Sequence, residues 1–196
     1  FAIHIPIAGL ALVPMVFALP PLLMPLHIAL LELVVDPSCS IAFENEPADA
    51  QVMQRSPRDT SAPIFGVQQM LASFFQGLCV LAAAGGAYWQ ALALSAEMQR
   101  AMVLITLVAA NAMLIFVNGA RNAVALWVMA GAMGLVLVGV YVPWLAAPLN
   151  LAPLGGLQVM VALGLGVASI LGAWVCLHLL RYDGSFKGVQ HGRYQP

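Results

Sequence analysis

Six stretches of this chain each run close to twenty residues with hardly a charge in them, at approximately 2–18, 22–41, 66–90, 99–118, 123–143 and 157–180. About 20 predominantly apolar residues is what an α-helix needs to cross the hydrocarbon layer of a bilayer. No other feature constrains the fold as strongly. Lipid offers no partner to a free N–H or C=O, so each segment must satisfy its own backbone, as a helix does. The sequence therefore predicts an all-α fold, a polytopic membrane bundle of six transmembrane helices over residues 1–181, with a polar tail over 182–196. The breaks between the segments fit. "LPPLL" makes a turn at 19–23, a proline-rich polar loop fills 42–65, and "QALALSAEMQR" covers 90–100. "NGARN" at 118–122 is a short turn, and "PWLAAPLNLAPLGG" at 143–156 is a proline-rich connection.

Composition closes other routes. Only 8% of residues are charged and 62% are hydrophobic, against about 25% charged in a soluble domain. A net charge of −1 without a basic cluster gives nucleic acid nothing to bind. Cys39, Cys79 and Cys176 are far apart with no CxxC spacing, and read as buried thiols rather than metal ligands or a disulfide. The chain opens on Phe1 inside an apolar run, without the basic region of a signal peptide, and reads as a piece of something longer.

The seven basic residues predict orientation. Arg55 and Arg58 lie in the second loop, Arg121 in the fourth, and Arg181, Lys187 and Arg193 at the carboxy-terminal end; Arg100 alone lies on the opposite side. The positive-inside bias places the second and fourth loops and the C-terminus in the cytoplasm. Trp89, Tyr141 and Trp144 fall near the other face, as an aromatic belt does.

Two acids interrupt this apolar text. In "LHIALLELVVDPSCSIAFENEP", residues 26–47, Glu32 and Asp36 are four apart and share a helix face. Ionisable groups within a span are expensive and mark function by default. Two unpaired carboxylates cannot both stay ionised side by side at low cost, so they either share protons or hold a cation. Pro37 leaves the Leu33 carbonyl without its helical donor and is expected to interrupt the helix, offering backbone oxygens to a hard cation. The plainer reading is that both acids cap or pair with other spans.

His4 is followed by Pro6, which is expected to kink the first helix. Its imidazole is suited to a transition metal or a proton shuttle, and equally to a packed histidine bonded to a carbonyl. His27 reads as interfacial or packed, and His178 and His191 as solvated. Asn111 and Asn118 are seven apart on one face and read as interhelical hydrogen-bonding groups. Gly164, Ala168 and Gly172 form a small-xxx-small series that predicts close helix packing. The ten methionines are scattered and trace no copper path.

"HIPIAGLALVP" at 4–14, "PLHIALLELVVDPSCSIAFENEP" at 25–47 and "VMQRSPRDTSAPIF" at 52–65 carry a resemblance, with weaker support from "LVAANAMLIFVNGARN" at 107–122. Together they resemble the carboxy-terminal membrane region of P-type cation-transporting ATPases, nearest to the bacterial branch of the calcium-pump-like group. The resemblance implies the last six of ten spans. It puts Asp36 at the family's most constant cation-binding aspartate and Glu32 at an asparagine ligand. It also puts His4 at an asparagine ligand, Ile7 at a glutamate ligand and Val35 at a threonine ligand. The acidic or amide position of the fourth span falls at Asn111 or Ala112. Glu32, Asp36, His4 and Asn111 are thus the candidate metal ligands.

The implied cargo is calcium, manganese or another divalent cation, and the implied location is a bacterial inner membrane. Arg55 and Arg58 would touch the phosphorylation domain. The sequence holds no Asp-Lys-Thr-Gly motif, no glycine-rich phosphate loop and no soluble stretch long enough for a nucleotide domain. ATP and magnesium are therefore expected to act only through other domains, and no cofactor is expected within this chain. The implied partners are the lipid bilayer and the pump's remaining amino-terminal spans and cytoplasmic domains. From another class, a stand-alone six-helix protein remains open, either a proton-coupled secondary carrier or a non-catalytic scaffold.

Overall fold

The computed structural model describes residues 2–45, 67–118 and 122–182, with side chains described as far as Trp174 except at Gln68. Arg55, Arg58, Arg121 and the tail after Tyr182 lie outside the described residues, as do the side chains of Cys176, His178 and Arg181.

Seven helices and no strand are found among the described residues: α1 His4–Val16, α2 Pro25–Glu44, α3 Val67–Gln90, α4 Ala96–Val117, α5 Ala123–Tyr141, α6 Pro143–Leu149 and α7 Gly156–Tyr182. Five of them, α2 to α5 and α7, are long and apolar enough to cross a membrane. The first of the six expected spans is a helix of 13 residues, about 20 Å long at the usual rise and short of a bilayer's width. The connection at 143–156 contains the short helix α6.

The ends of α1 and α2 follow from local chemistry. Ala18 takes a left-handed φ of 53°, and Leu19 N–H bonds back to the Pro14 carbonyl at 2.8 Å, which closes the helix with a Schellman-type cap. Prolines 20 and 21 then prevent its resumption. Pro25 opens α2 at its first position, where a missing N–H costs nothing. Pro6 likewise sits in the first turn of α1, so the kink expected there does not arise.

Pro37 corrects a second expectation. It stands inside α2, which runs through it without interruption from Pro25 to Glu44. The Leu33 carbonyl still lacks its usual donor, while the Ser38 hydroxyl donates to the Val34 carbonyl one position on. A proline removes one hydrogen bond, and packing of α2 against α5 and α4 keeps the rest of the helix in register.

α4 is the hub. It packs against α7, α3, α5 and α2, and its run Ala101–Asn111 is buried throughout. An apolar helix without a polar face fits such a position. Ser95 caps its start by accepting from Met98 N–H at 3.4 Å. α7 lies against α4 along Ala162, Gly166, Ser169 and Ala173, all buried. A Cβ built on Gly166 would come within 2.6 Å of Ala109 Cβ and 2.9 Å of the Thr106 carbonyl oxygen. Thr106 Oγ1 donates across this contact to the Ala162 carbonyl at 3.2 Å. The stripe is thus offset from the expected one: Gly164 and Ala168 face outward, and Gly172 is half-buried.

Polar bonds tie the bundle at both ends. At one end Asn122 Nδ2 donates to the Ala42 carbonyl at 3.0 Å, and Gln76 and Asn118 exchange amide bonds at 3.3 and 3.4 Å. The hydrogen-bonding role read for Asn118 is therefore seen. At the other end Tyr141 donates to Leu154 O at 2.7 Å and Arg100 Nε to Pro21 O at 3.3 Å. Trp89 and Trp144 are exposed there.

Candidate cation site

α2 turns Leu31, Val34, Val35, Ser38 and Ala42 into the bundle. At 100° per residue this leaves Glu32 and Asp36 pointing away from α4 and α5. α1 instead packs on α3, and its first turn brings His4 to the two acids. The ligand atoms of His4, Glu32 and Asp36 all lie within 4.8 Å of one another, with His4 Nε2 at 3.7 Å from Glu32 Oε1.

The cluster is not enclosed by this chain. His4 is 59% exposed and Glu32 39%, and Asp36 is exposed as well. The two acids, read from sequence as ionisable groups within a span, stand on the outer face of the described helices. Leu33 beside them is also exposed. Two acceptor groups and one imidazole have up to five ligand atoms among them, enough for a cation and too many negative charges to stand alone in lipid.

Asn111 is placed elsewhere. It is 2% exposed and neither of its amide atoms has a hydrogen-bond partner. It lines a cavity of about 10 Å³ with Val35, Ser38, Val108, Ala112 and Met129. This cavity meets the inward stripe of α2, whereas Glu32 and Asp36 occupy the outward one. Ile7 and Val35 are both in the hydrophobic core.

Two further polar features stand outside this cluster, and the first escaped sequence reasoning. A cavity of about 210 Å³ lies between the start of α1 and α3 and the ends of α2 and α4, lined by Cys39, Phe43, Ser73, Gln76 and Asn118 among others. Cys39 and Cys79 are outside any disulfide among the described residues and are half-buried rather than buried. Nothing in the spacing of these residues signals the cavity, since they come from four separate segments.

The second feature is His27. It is 1% exposed, accepts from Met24 N–H through Nδ1 at 3.1 Å, and therefore donates through Nε2 to the Leu149 carbonyl at 2.5 Å. One neutral imidazole thus caps α2 and ties it to the end of α6, as the packed role foresaw. His27→Leu should remove both bonds and leave a buried carbonyl unpaired, at about 2–3 kcal/mol. Thermal unfolding of the purified chain checks this, and an unchanged Tm would reduce the bond to a surface contact.

A protein-family model described as "Cation transporting ATPase, C-terminus" matches residues 20–176. The matched span takes in Glu32, Asp36 and Asn111 but begins after α1, so His4 lies outside it. No curated protein matches the chain.

Proposed function

Because the chain belongs to the family of cation-transporting ATPase carboxy-terminal regions, we propose that it is the ion-binding and translocating membrane portion of a P-type cation pump, of the calcium-pump-like group and its bacterial branch. The observation that carries this is the meeting of His4, Glu32 and Asp36 from two separate helices. Asp36 is the principal ligand, Glu32 its partner, and the cargo a divalent cation. Asn111 reaches the pathway only if the cavity beside Val35 and Ser38 opens towards it. ATP hydrolysis and magnesium belong to domains outside this sequence, and the exposed face of the cluster is where the pump's other spans would lie.

The packing supports a way to open and close such a site. α1 rests on α3, and α2 rests on α5 and α4. A shift of α1 against α2 therefore changes the separation of His4 from the acids, with Ile7 and Leu10 repacking in the core as it moves. Cation affinity that differs between two such states is what transport requires.

The test is the energy source. In inverted vesicles from cells carrying the chain in its complete pump, divalent uptake should need ATP and survive a proton uncoupler. Uptake that collapses with the uncoupler and ignores ATP would favour the proton-coupled carrier, in which the same acids relay protons. The reading also sets the topology: six spans, with α1 crossing together with its flanking residues, and a cytoplasmic C-terminus. Cysteine placed at Arg58 should then label from the cytoplasm and at Ala93 from the opposite side. Labelling of both from one side ends the six-span arrangement.

A further inference from the structure

The class of cation follows from the residue that the family match leaves out. We infer that His4 makes the cluster a site for a borderline divalent transition cation, of the zinc, cobalt or nickel type, in preference to calcium; this rests on the cation-transport reading above. Calcium takes six to eight oxygen ligands. The two clustered carboxylates supply at most four oxygens, and the third clustered group is a nitrogen. Imidazole is a ligand of zinc, copper, iron and nickel rather than of calcium or magnesium.

The spacing suits two ligands of one divalent ion. Two ligands each about 2.1 Å from a tetrahedral metal are about 3.4 Å apart. The observed 3.7 Å between His4 Nε2 and Glu32 Oε1 needs only a small side-chain rotation to close. At this distance the pair is beyond a hydrogen bond and within ion-pair reach when the imidazole is protonated. It has the spacing of two ligands facing one ion.

His4 is also held in place. A Cβ built on Gly77 of α3 would meet Ile5 Cβ at 2.8 Å and the Ala2 carbonyl oxygen at 2.9 Å. The backbone on both sides of His4 is therefore pressed against α3, while the imidazole itself is 59% exposed. A residue anchored through its backbone and free at its side chain can be substituted without loss of the fold. That makes its role open to a direct test.

The whole chain in lipid nanodiscs is titrated with Co²⁺, whose d–d absorption reports ligand type and geometry, and Zn²⁺ and Ca²⁺ are then used as competitors. In the unaltered chain Zn²⁺ should displace Co²⁺ at a concentration at least about 100-fold below that of Ca²⁺. His4→Gln should shift the d–d bands and cut that preference at least about tenfold, and His4→Cys should retain it by supplying another soft ligand. Unchanged bands and preference in His4→Gln, or no Co²⁺ binding by the unaltered chain, would overturn the inference. If Ca²⁺ binding then still disappears in Asp36→Asn, the transport reading survives its loss. If Asp36→Asn also changes nothing, both fall.

Discussion

Asp36→Asn is expected to abolish cation-dependent phosphoenzyme formation in the complete pump while leaving the protein inserted. Asparagine matches aspartate in volume and removes its charge, so packing on the outer face of α2 is unaffected. The loss is electrostatic. A carboxylate bonded directly to a divalent ion is worth several kcal/mol in a poorly solvated site, and an apparent affinity at least about 100-fold weaker is expected. Glu32→Gln should do the same to a smaller extent, as the loss of the partner ligand rather than the principal one. The measurement is phosphoenzyme level against cation concentration. Unchanged affinity in Asp36→Asn would reduce both acids to structural pairs.

The second large effect lies far from the cations. Gly166→Ala should loosen the whole bundle, because the added Cβ meets Ala109 Cβ at 2.6 Å and the backbone of Thr106 at 2.9 Å. Backbone cannot swing aside as a side chain can, so α7 must move away from α4 and the Thr106–Ala162 bond is strained or lost. The expected cost is about 3 kcal/mol, read as a fall in Tm of roughly 6–12 °C. Gly164→Ala is the control: nothing lies within 4 Å of its Cβ position, and replacing a helical glycine there should be neutral or stabilising by up to about 1 kcal/mol. Equal effects of the two substitutions would show that the stripe is wrongly placed.

Those two glycines show where sequence reading stops. Both belong to plausible small-residue series on α7, and the series through Gly164 has the more regular spacing. α7 is apolar on every side, so hydrophobicity does not say which side meets a neighbour. The choice belongs to Gly166 because Ala109 and Thr106 of α4 happen to stand opposite it. α2 is a contrasting case: its acids mark one face as different, and the face read from spacing is the face seen. What spacing could not give was the direction of that face. In the fold it points away from α4 and α5.

Asn111 and His4 exchange roles in a similar way. His4 was a candidate by its imidazole and the resemblance, and Asn111 by the resemblance alone, since its own place in the chain reads as a hydrogen-bonding group between helices. The fold brings His4 to Glu32 and Asp36 and points Asn111 into a separate small cavity. Residues 28 and 32 positions apart from the acids cannot be placed by periodicity, because the α1–α2 turn and the seat of α1 on α3 determine the meeting.

By itself the sequence determined that the described chain is helical and apolar enough to sit in a bilayer, while its six expected spans became five long helices and a short one in the structure. It also set the scarcity of charge, the pairing of Glu32 with Asp36 on one face, and membership of the cation-transporting ATPase carboxy-terminal family. These follow from composition and from backbone hydrogen bonding, which act within each segment. Tertiary structure alone decided that α2 continues through Pro37, that Gly166 takes the close contact, and that His4 joins the two acids. The physical reason is that apolar helices in lipid gain little from hiding one face rather than another, so the arrangement is chosen by shape, close packing and a few polar bonds between segments.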